Sequence, residues 1–187
     1  MPHAKRDSFA SIDRLRPLIS EDEIRTRTRE LGAKISADYK GTDLLLVSVL
    51  KGSFVFLADL VRAIDVPLEL DFMRLRSYGT GSESSGVVEI TADLTGPVEG
   101  KHVVFVEDIV DTGLTMTYLM RNIKTRHPAD VKLCSLLYKP ERKLVDVPID
   151  YLGFTIPNQF VVGYGLDYAE KYRNLPYIAT MDDEPPR

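Results

Sequence analysis

The sequence predicts an α/β fold built on a doubly wound, mainly parallel sheet. Short apolar runs alternate with longer segments of helical periodicity along most of the chain, as expected when helices connect parallel strands. The run 44–50 is apolar at almost every position, which is typical of a strand covered by helices on both faces. With 187 residues, of which 44% are hydrophobic, the chain can bury a substantial core, and we expect a single domain over residues 1–187.

Charge and cysteine content narrow the functional classes. The net charge of −4 gives no basic footprint, so a nucleic-acid partner is disfavoured. Cys134 is the only cysteine of the sequence, which rules out an intramolecular disulfide and a cysteine metal cluster. No run approaches the roughly twenty apolar residues that a membrane span requires. We therefore expect no membrane partner and a soluble, cytoplasmic protein.

The first elements have clear boundary signals. Ser20-Glu21-Asp22-Glu23 has the pattern of a capping box, so a helix is predicted from about residue 21 to residue 39. The apolar run 44–50 follows as a buried strand. A small-residue turn interrupts it, and the segment 54–64 is predicted to be a helix with Ser53 as its N-cap.

The middle of the chain predicts two strands joined by a long loop. Residues 68–76 alternate between apolar and polar, which indicates a strand, and residues 87–91 are predicted to be the antiparallel return strand. Between them, residues 79–86 are rich in Gly, Ser and Thr and have no apolar anchor. Composition alone fits a hairpin connection and an active-site lid, here about residues 77–90, equally well.

The second half predicts a central strand at residues 103–106, a helix at 114–126 and a further strand at 131–137. The helix ends at His127-Pro128, because the residue before a proline disfavours helical geometry. Further short strands are expected at residues 151–156, 160–162 and 177–180, and residues 181–187 are expected to form a frayed tail.

The segment 107–115 is the strongest candidate for a functional site. It lies between the central strand and the helix that follows, and ligands of open parallel sheets bind beyond the carboxyl ends of strands. The start of the following helix offers unpaired N–H groups to a phosphate. Gly113 permits a close backbone approach to the anion, and the hydroxyls of Thr112 and Thr115 add donors. The preceding acidic pair is better suited to sugar hydroxyls or a cation.

This segment resembles the signature of the phosphoribosyltransferases, in which two acidic residues precede a D-T-G-x-T loop. The resemblance implies the type I phosphoribosyltransferase fold, with a small hood and a flexible lid, and phosphoribosyl pyrophosphate as a substrate. Glu107 and Asp108 would then hold the ribose hydroxyls and take part in binding a Mg²⁺ cofactor. The 5-phosphate would lie on the loop formed by Asp111, Thr112, Gly113, Leu114 and Thr115. Leu114 is a departure, because some relatives carry lysine at this position.

The resemblance also assigns the turn after the first apolar strand. By itself, the Leu50-Lys51-Gly52 segment would be an ordinary turn. In the resembled family a short loop at this place binds the pyrophosphate, and the peptide that corresponds to Leu50–Lys51 can be cis. The resemblance therefore implies that Leu50, Lys51 and Gly52 bind pyrophosphate, and that Arg173 is a further cation for the same group.

Two later segments resemble the hypoxanthine-guanine branch of this family. They are Lys139, directly after the strand at 131–137, and the segment F-V-V-G-Y-G-L-D-Y at 160–168. The resemblance implies that Lys139 donates to the 6-oxo group of a purine, that Phe160 stacks on the base and that the backbone of Val161 reads its edge. Asp167 would lie at the same subsite and contact magnesium, through water.

The resemblance supplies two further roles. Ser77 and Tyr78 match the lid residues that fold over the pyrophosphate during turnover. Asp111, directly before the phosphate loop, is the carboxylate best placed to draw the N7 proton from the purine, and we assign it as the general base.

The sequence therefore predicts a purine-salvage enzyme that transfers the 5-phosphoribosyl group to hypoxanthine or guanine, giving IMP or GMP and pyrophosphate. Related enzymes are dimers or tetramers, so a homodimer or homotetramer is expected. Two alternatives stay open. One is a regulatory protein that senses phosphoribosyl pyrophosphate without catalysis, and the other is a salvage enzyme that prefers xanthine or a pyrimidine.

Overall fold

The computed structural model describes residues 15–77 and 88–181. The strands are β1 (Leu15–Ile19), β2 (Leu44–Leu50), β3 (Leu68–Ser77), β4 (Val88–Ala92), β5 (His102–Val110), β6 (Asp130–Tyr138), β7 (Tyr151–Thr155), β8 (Val161–Val162) and β9 (Ile178–Met181). The helices are α1 (Glu21–Asp38), α2 (Phe54–Ala63) and α3 (Leu114–Lys124), and Pro140–Arg142 forms a short 3₁₀ turn. Within the described residues, no helix is both long enough and apolar enough to cross a membrane.

The main sheet confirms the predicted doubly wound architecture. Its six strands have the order β4-β3-β2-β5-β6-β7, and all neighbours are parallel except β3 and β4. After β2 the chain moves outward to β3, whereas after β5 it moves outward in the opposite direction to β6. The loops that leave β2 and β5 therefore diverge, and a crevice opens between them at the carboxyl ends of these two adjacent strands.

Helices cover both faces of this sheet, because successive residues of a buried strand point to opposite sides. On one face Leu46 belongs to a cluster that contains α1 and α2 residues, including Leu31 and Phe56. On the other face Val47 belongs to a cluster that contains Leu119 of α3. This arrangement explains why the sequence of β2 is apolar without alternation.

A second, three-stranded sheet has the order β1-β9-β8 and forms the expected hood. Strand β1 was not predicted, because Pro17 and charged neighbours hide its pattern. The proline is tolerated since β1 lies at the edge of the sheet, and the pairing with β9 shifts register between Pro17 and Ile19. Met181 is the last residue of β9, so the prediction that the frayed tail begins at this residue was wrong.

The structure tests the two predictions about helix N-termini. The capping box of α1 is present, since Ser20 Oγ accepts from the Glu23 N–H and the Glu23 carboxylate accepts from the Ser20 N–H. The prediction that the Ser53 side chain caps α2 was wrong. Its buried hydroxyl instead donates to the carbonyl oxygen of Val49 at 2.6 Å, which ties the turn back onto β2.

Replacing Leu46 by Ala should lower the free energy of unfolding by about 2–5 kcal/mol, because a fully buried side chain leaves a cavity between β2 and the helices. The matched control is Leu144→Ala, since this side chain is 70% exposed and should change the same quantity by less than about 0.5 kcal/mol. Urea denaturation followed by circular dichroism measures both. Equal losses in the two variants would contradict the assignment of Leu46 to the core.

Candidate functional site

The candidate site lies where the loops after β2 and β5 diverge. A Cβ atom added to Gly52 would lie 1.8 Å from Oδ2 of Asp108, so only glycine fits beside this carboxylate. On its other side, a Cβ added to Gly165 would lie 2.1 Å from the carbonyl oxygen of Gly52. Three segments that the sequence singled out, 50–52, 107–115 and 160–168, therefore meet at one point.

The predicted phosphate cradle is the turn that leads from β5 into α3. Gly113 is the N-cap of α3 and has a left-handed backbone with φ of 81°, which leaves the first N–H groups of the helix directed out of the turn. The hydroxyl of Thr112 lies 3.4 Å from the N of Leu114. These residues enclose a cavity of about 100 Å³, lined by Glu107, Ile109, Val110, Asp111, Thr112, Gly113, Thr115 and Met116.

The segment 139–145 supports this cradle, a role that the sequence did not reveal. The backbone N–H groups of Leu144 and Val145 both donate to the carbonyl oxygen of Thr112, at 3.0 and 3.1 Å. The N–H of Lys139 donates to the carbonyl oxygen of Val110 at 3.0 Å. A Cβ on Gly113 would lie 2.5 Å from the carbonyl oxygen of Val145, so packing as well as backbone conformation requires glycine there.

The acidic pair lies inside β5, not after it as predicted, because the strand continues to Val110. Consecutive strand residues point to opposite faces, and the two carboxylates accordingly have different surroundings. Glu107 lines the cradle, and its Oε2 is buried without a hydrogen-bond partner among the described residues. Asp108 faces Gly52 and accepts a bond from the N–H of Ile109 at 3.0 Å.

Burial disfavours the ionised form of both carboxylates. It raises the pKa of Glu107 well above its ordinary value, and the neighbouring charge of Asp108 adds to this effect. Burial also raises the pKa of Asp108 to about 6, although the N–H of Ile109 and the charge of Arg173 oppose the shift. The pair is therefore suited to a ligand that brings hydroxyl donors or a cation.

Asp111 is paired with a residue that the sequence did not single out. Nε of Arg142 lies 2.9 Å from its Oδ1, so the two opposite charges form an ion pair, although Oδ1 accepts no hydrogen bond from the described residues. Both side chains are partly exposed, so a ligand can reach them. Arg142 belongs to a basic segment of the sequence, residues 139–143. Its place three residues after Lys139, beyond the end of β6, was the available signal.

The predicted cations lie together and already have anionic partners. Nζ of Lys51 lies 2.9 Å from Oε2 of Glu170, a residue that the sequence did not single out. Nη2 of Arg173 lies 2.8 Å from Oδ1 of Asp167, and its Nη1 donates to the carbonyl oxygen of Gly165 at 2.8 Å. The peptide bond between Leu50 and Lys51 is cis. One end of the site therefore has two cations, each of them paired with a carboxylate.

The residues predicted to bind the purine lie at the end of β6 and around β8. The Lys139 side chain is only 8% exposed, which is unusual for lysine and supports a functional role. Phe160 packs edge-on against Tyr168, with ring centroids 5.8 Å apart. Val161 lies in β8, an edge strand of the hood, where one side of the backbone is left for a ligand. Ser77 ends β3, whereas Tyr78 lies outside the described residues.

The described residues contain no group of three or more His, Cys, Asp or Glu side chains arranged to hold a metal ion. Mg²⁺ usually binds through one or two carboxylates, water and substrate phosphates, so it does not need such a cage. The unpartnered Oε2 of Glu107 and the carboxylate of Asp108 fit this manner of binding. Asp167 is a further candidate, although its carboxylate already contacts Arg173.

Comparisons with known proteins agree with this geometry. Residues 20–169 match the family model of the phosphoribosyl transferase domain. The hypoxanthine-guanine phosphoribosyltransferase of Streptococcus pneumoniae is 52% identical over 167 residues, which cover 89% of this chain and 93% of that protein. The solved structure of a hypoxanthine phosphoribosyltransferase from Staphylococcus aureus is similar with a TM-score of 0.88 and 42% identity, covering 93% of this chain and 96% of that chain.

A second solved structure is also similar. It is a hypoxanthine-guanine phosphoribosyltransferase from Bacillus anthracis with a HEPES molecule in its active site. The TM-score is 0.85 at 45% identity, and the match covers 89% of this chain and 98% of that chain.

Replacing Asp108 by Asn should stabilise the protein in the absence of magnesium and substrate. Because the pKa of this carboxyl is raised from its ordinary value to about 6, the folded form holds more protons than the unfolded form between about pH 4 and about pH 6. Stability therefore falls as the pH rises through this window. Asn has no such penalty, so the variant should be more stable by about 1–3 kcal/mol at about pH 7.5 and similar near pH 4.

Urea denaturation over this pH range, with a chelator present, measures the effect. The control is Asp146→Asn, because this carboxylate is 88% exposed and should give no comparable pH-dependent difference. A stability difference between Asp108→Asn and the unmodified protein that does not change with pH would show that burial of the charge is not its cause.

Proposed function

This chain belongs to the phosphoribosyltransferase family, and we propose that it is a purine-salvage enzyme of the hypoxanthine-guanine type. In the proposed reaction the 5-phosphoribosyl group of phosphoribosyl pyrophosphate passes to hypoxanthine or guanine, giving IMP or GMP and pyrophosphate. One observation carries the proposal. An anion cradle, a buried carboxylate pair and two fixed cations converge at the carboxyl ends of β2 and β5, and relatives with about half of their residues identical carry this name.

The ribose phosphate would bind across β5. Its phosphate would take the backbone N–H groups of residues 113–115 and the hydroxyls of Thr112 and Thr115, where the dipole of α3 favours negative charge. Leu114 offers only its backbone N–H there. Glu107 and Asp108 would accept bonds from the ribose hydroxyls, which would supply the partner that Oε2 of Glu107 lacks.

The pyrophosphate would lie towards the two cations. Loss of this group leaves positive charge on the ribose, so the reaction is favoured by stabilising the charge that develops on the leaving oxygens. Lys51 and Arg173 are the cations for this task, and the N–H groups of the Leu50-Lys51-Gly52 turn are further donors. Mg²⁺, when bound by Glu107, Asp108 or Asp167 together with the substrate, would neutralise part of the pyrophosphate charge.

Asp111 is the proposed general base. Attack through N9 of the purine becomes easier when the N7 proton is drawn away, and Asp111, which lines the phosphate cradle, is the carboxylate that would take this proton. The ion pair with Arg142 holds its carboxylate in place while the base is absent. Arg142 is therefore a positioning residue for Asp111.

The purine would be selected by one side-chain donor and by the hood. A nearly buried lysine at position 139 would donate to a 6-oxo group, whereas the amino group of adenine at that position offers no acceptor. Phe160 would stack on the base, and the backbone of Val161 would read its edge. Closure of Ser77 and Tyr78 over the site would exclude water from the activated sugar.

The assembly is proposed to be a homodimer or homotetramer of single-domain subunits. Four large apolar side chains are exposed on adjoining elements, and exposed apolar patches often mark interfaces between proteins. They are Leu50, Phe54, Leu70 and Phe72. Leu70 and Phe72 share one face of β3, next to β2, which Leu50 ends. The cytoplasmic location expected from the sequence remains part of this proposal.

A spectrophotometric assay with phosphoribosyl pyrophosphate, Mg²⁺ and each base tests the proposal. Hypoxanthine and guanine should give nucleotide and pyrophosphate, whereas adenine should react poorly because Lys139 requires an oxygen acceptor. Formation of no nucleotide from any base would instead favour a protein that senses phosphoribosyl pyrophosphate. Preference for xanthine or for a pyrimidine would leave the phosphate cradle in place but overturn the proposed base specificity.

Replacing Asp111 by Asn should lower kcat by about 10²–10⁴-fold, because the amide keeps the shape of the side chain but cannot take the N7 proton. The KM for phosphoribosyl pyrophosphate should change little, since the cradle binds the phosphate mainly through N–H groups. Steady-state kinetics measure both, with Asp146→Asn as the control. Equal loss of turnover and of substrate affinity would remove Asp111 from the role of general base.

A further inference from the structure

A single carboxylate oxygen lies between the two cations assigned to the pyrophosphate. Oε2 of Glu170 is 2.9 Å from Nζ of Lys51 and 3.5 Å from Nη2 of Arg173. The same oxygen accepts a hydrogen bond from Nζ of Lys51. A carboxylate oxygen therefore contacts both cations to which the pyrophosphate has been assigned.

The turn that presents Glu170 is not explained by local preference. Tyr168 and Lys171 exchange backbone hydrogen bonds of 3.1 and 3.0 Å around a two-residue turn. Its two central residues, Ala169 and Glu170, have left-handed backbones with φ of 50° and 64°. Such turns strongly favour Asn or Gly, and side chains such as these are strained there. Strain of this kind commonly accompanies a functional role of the residue.

We propose that Glu170 is an internal counter-ion that occupies the pyrophosphate subsite of the empty enzyme and competes with the pyrophosphate group of the substrate and product. This inference rests on the proposed function, since it assigns the same subsite. Glu170 neutralises Lys51 and part of the Arg173 charge while the site is empty. Its return to these cations assists the departure of pyrophosphate after transfer.

The remaining contacts allow this exchange. The side chains of Lys51 and Glu170 are 51% and 66% exposed, so their ion pair can open into water at small cost. Arg173 stays in place when Glu170 leaves, because Asp167 and the carbonyl oxygen of Gly165 hold its guanidinium at 2.8 Å each. The N–H of Glu170 donates to Oδ2 of Asp167 at 2.8 Å, which keeps the turn near the cations while the side chain moves.

Two substitutions separate the charge of Glu170 from the strain of its turn. Glu170→Gln removes the charge and keeps the strained backbone, whereas Glu170→Gly removes both, because glycine adopts a left-handed conformation readily. Both variants should bind inorganic pyrophosphate with Mg²⁺ about two- to fivefold more tightly, the range expected for an exposed ion pair. Only Glu170→Gly should also raise the thermal unfolding temperature.

Isothermal titration calorimetry with magnesium pyrophosphate gives the binding constants, and steady-state kinetics should show the KM for phosphoribosyl pyrophosphate falling by a similar factor. The control is Glu141→Gln, an exposed carboxylate of the neighbouring 3₁₀ turn. In a Lys51→Gln background the gain from Glu170→Gln should shrink, since one of the two competed cations is gone. Unchanged or weaker pyrophosphate binding by Glu170→Gln, or a gain no larger than that of Glu141→Gln, would overturn the proposal.

Failure of the proposed reaction can be distinguished from failure of the proposed role of Glu170. If the unmodified protein forms no nucleotide, the proposed reaction falls, while calorimetry still reports whether Glu170 competes with pyrophosphate. If nucleotide forms normally and only Glu170→Gly binds pyrophosphate more tightly, the reaction stands, and relief of the turn, not loss of the charge, controls the subsite.

Discussion

The close approach of Gly52 to Asp108 and Gly165 is the constraint on which the rest of the site depends. Three chain segments that are distant in sequence meet there without room for a single added methyl group. Because β2 and β5 are adjacent and parallel, their outgoing loops start side by side and then diverge. Gly165, which follows β8 of the hood, packs against Gly52 in the gap between these loops. Gly52, the residue after Lys51, therefore packs against Asp108 of the acidic pair.

The same packing sets the electrostatic cost of the site. Asp108 is desolvated by the Gly52 backbone and lies next to a second buried carboxylate, so ionisation of both is unfavourable in the empty protein. A fold selected only for stability would avoid this pair, since uncompensated buried charge is destabilising. The pair is understandable as a binding device, because its cost is recovered when hydroxyl groups or a cation arrive. Stability and ligand binding are therefore opposed at Asp108.

Local sequence signals made several elements of the fold and of the candidate site predictable. The apolar run of β2, the capping box at Ser20 and the D-T-G-L-T loop are each encoded within a few neighbouring residues. What was missed depends on distant contacts. Strand β1 is defined by its pairing with β9 at the other end of the described chain, and the ion pairs of Arg142 and Glu170 join them to the distant residues Asp111 and Lys51. Ser53 had the right residue type for a cap, but its buried hydroxyl found the carbonyl oxygen of Val49 instead.

The distribution of paired and unpaired groups indicates which form of the substrate the site favours. At one end Lys51 and Arg173 already have carboxylate partners, so a free pyrophosphate must displace negative charge and also approach Asp108. Elsewhere in the crevice, Oε2 of Glu107 is buried without a hydrogen-bond partner among the described residues, so positive charge or a hydroxyl donor would be favourable there. A sugar diphosphate that arrived together with a divalent cation would meet both needs at once, since its anionic end would replace Glu170 while its hydroxyls and the cation would satisfy the acidic pair. Charge pairing thus favours the metal complex over either component alone.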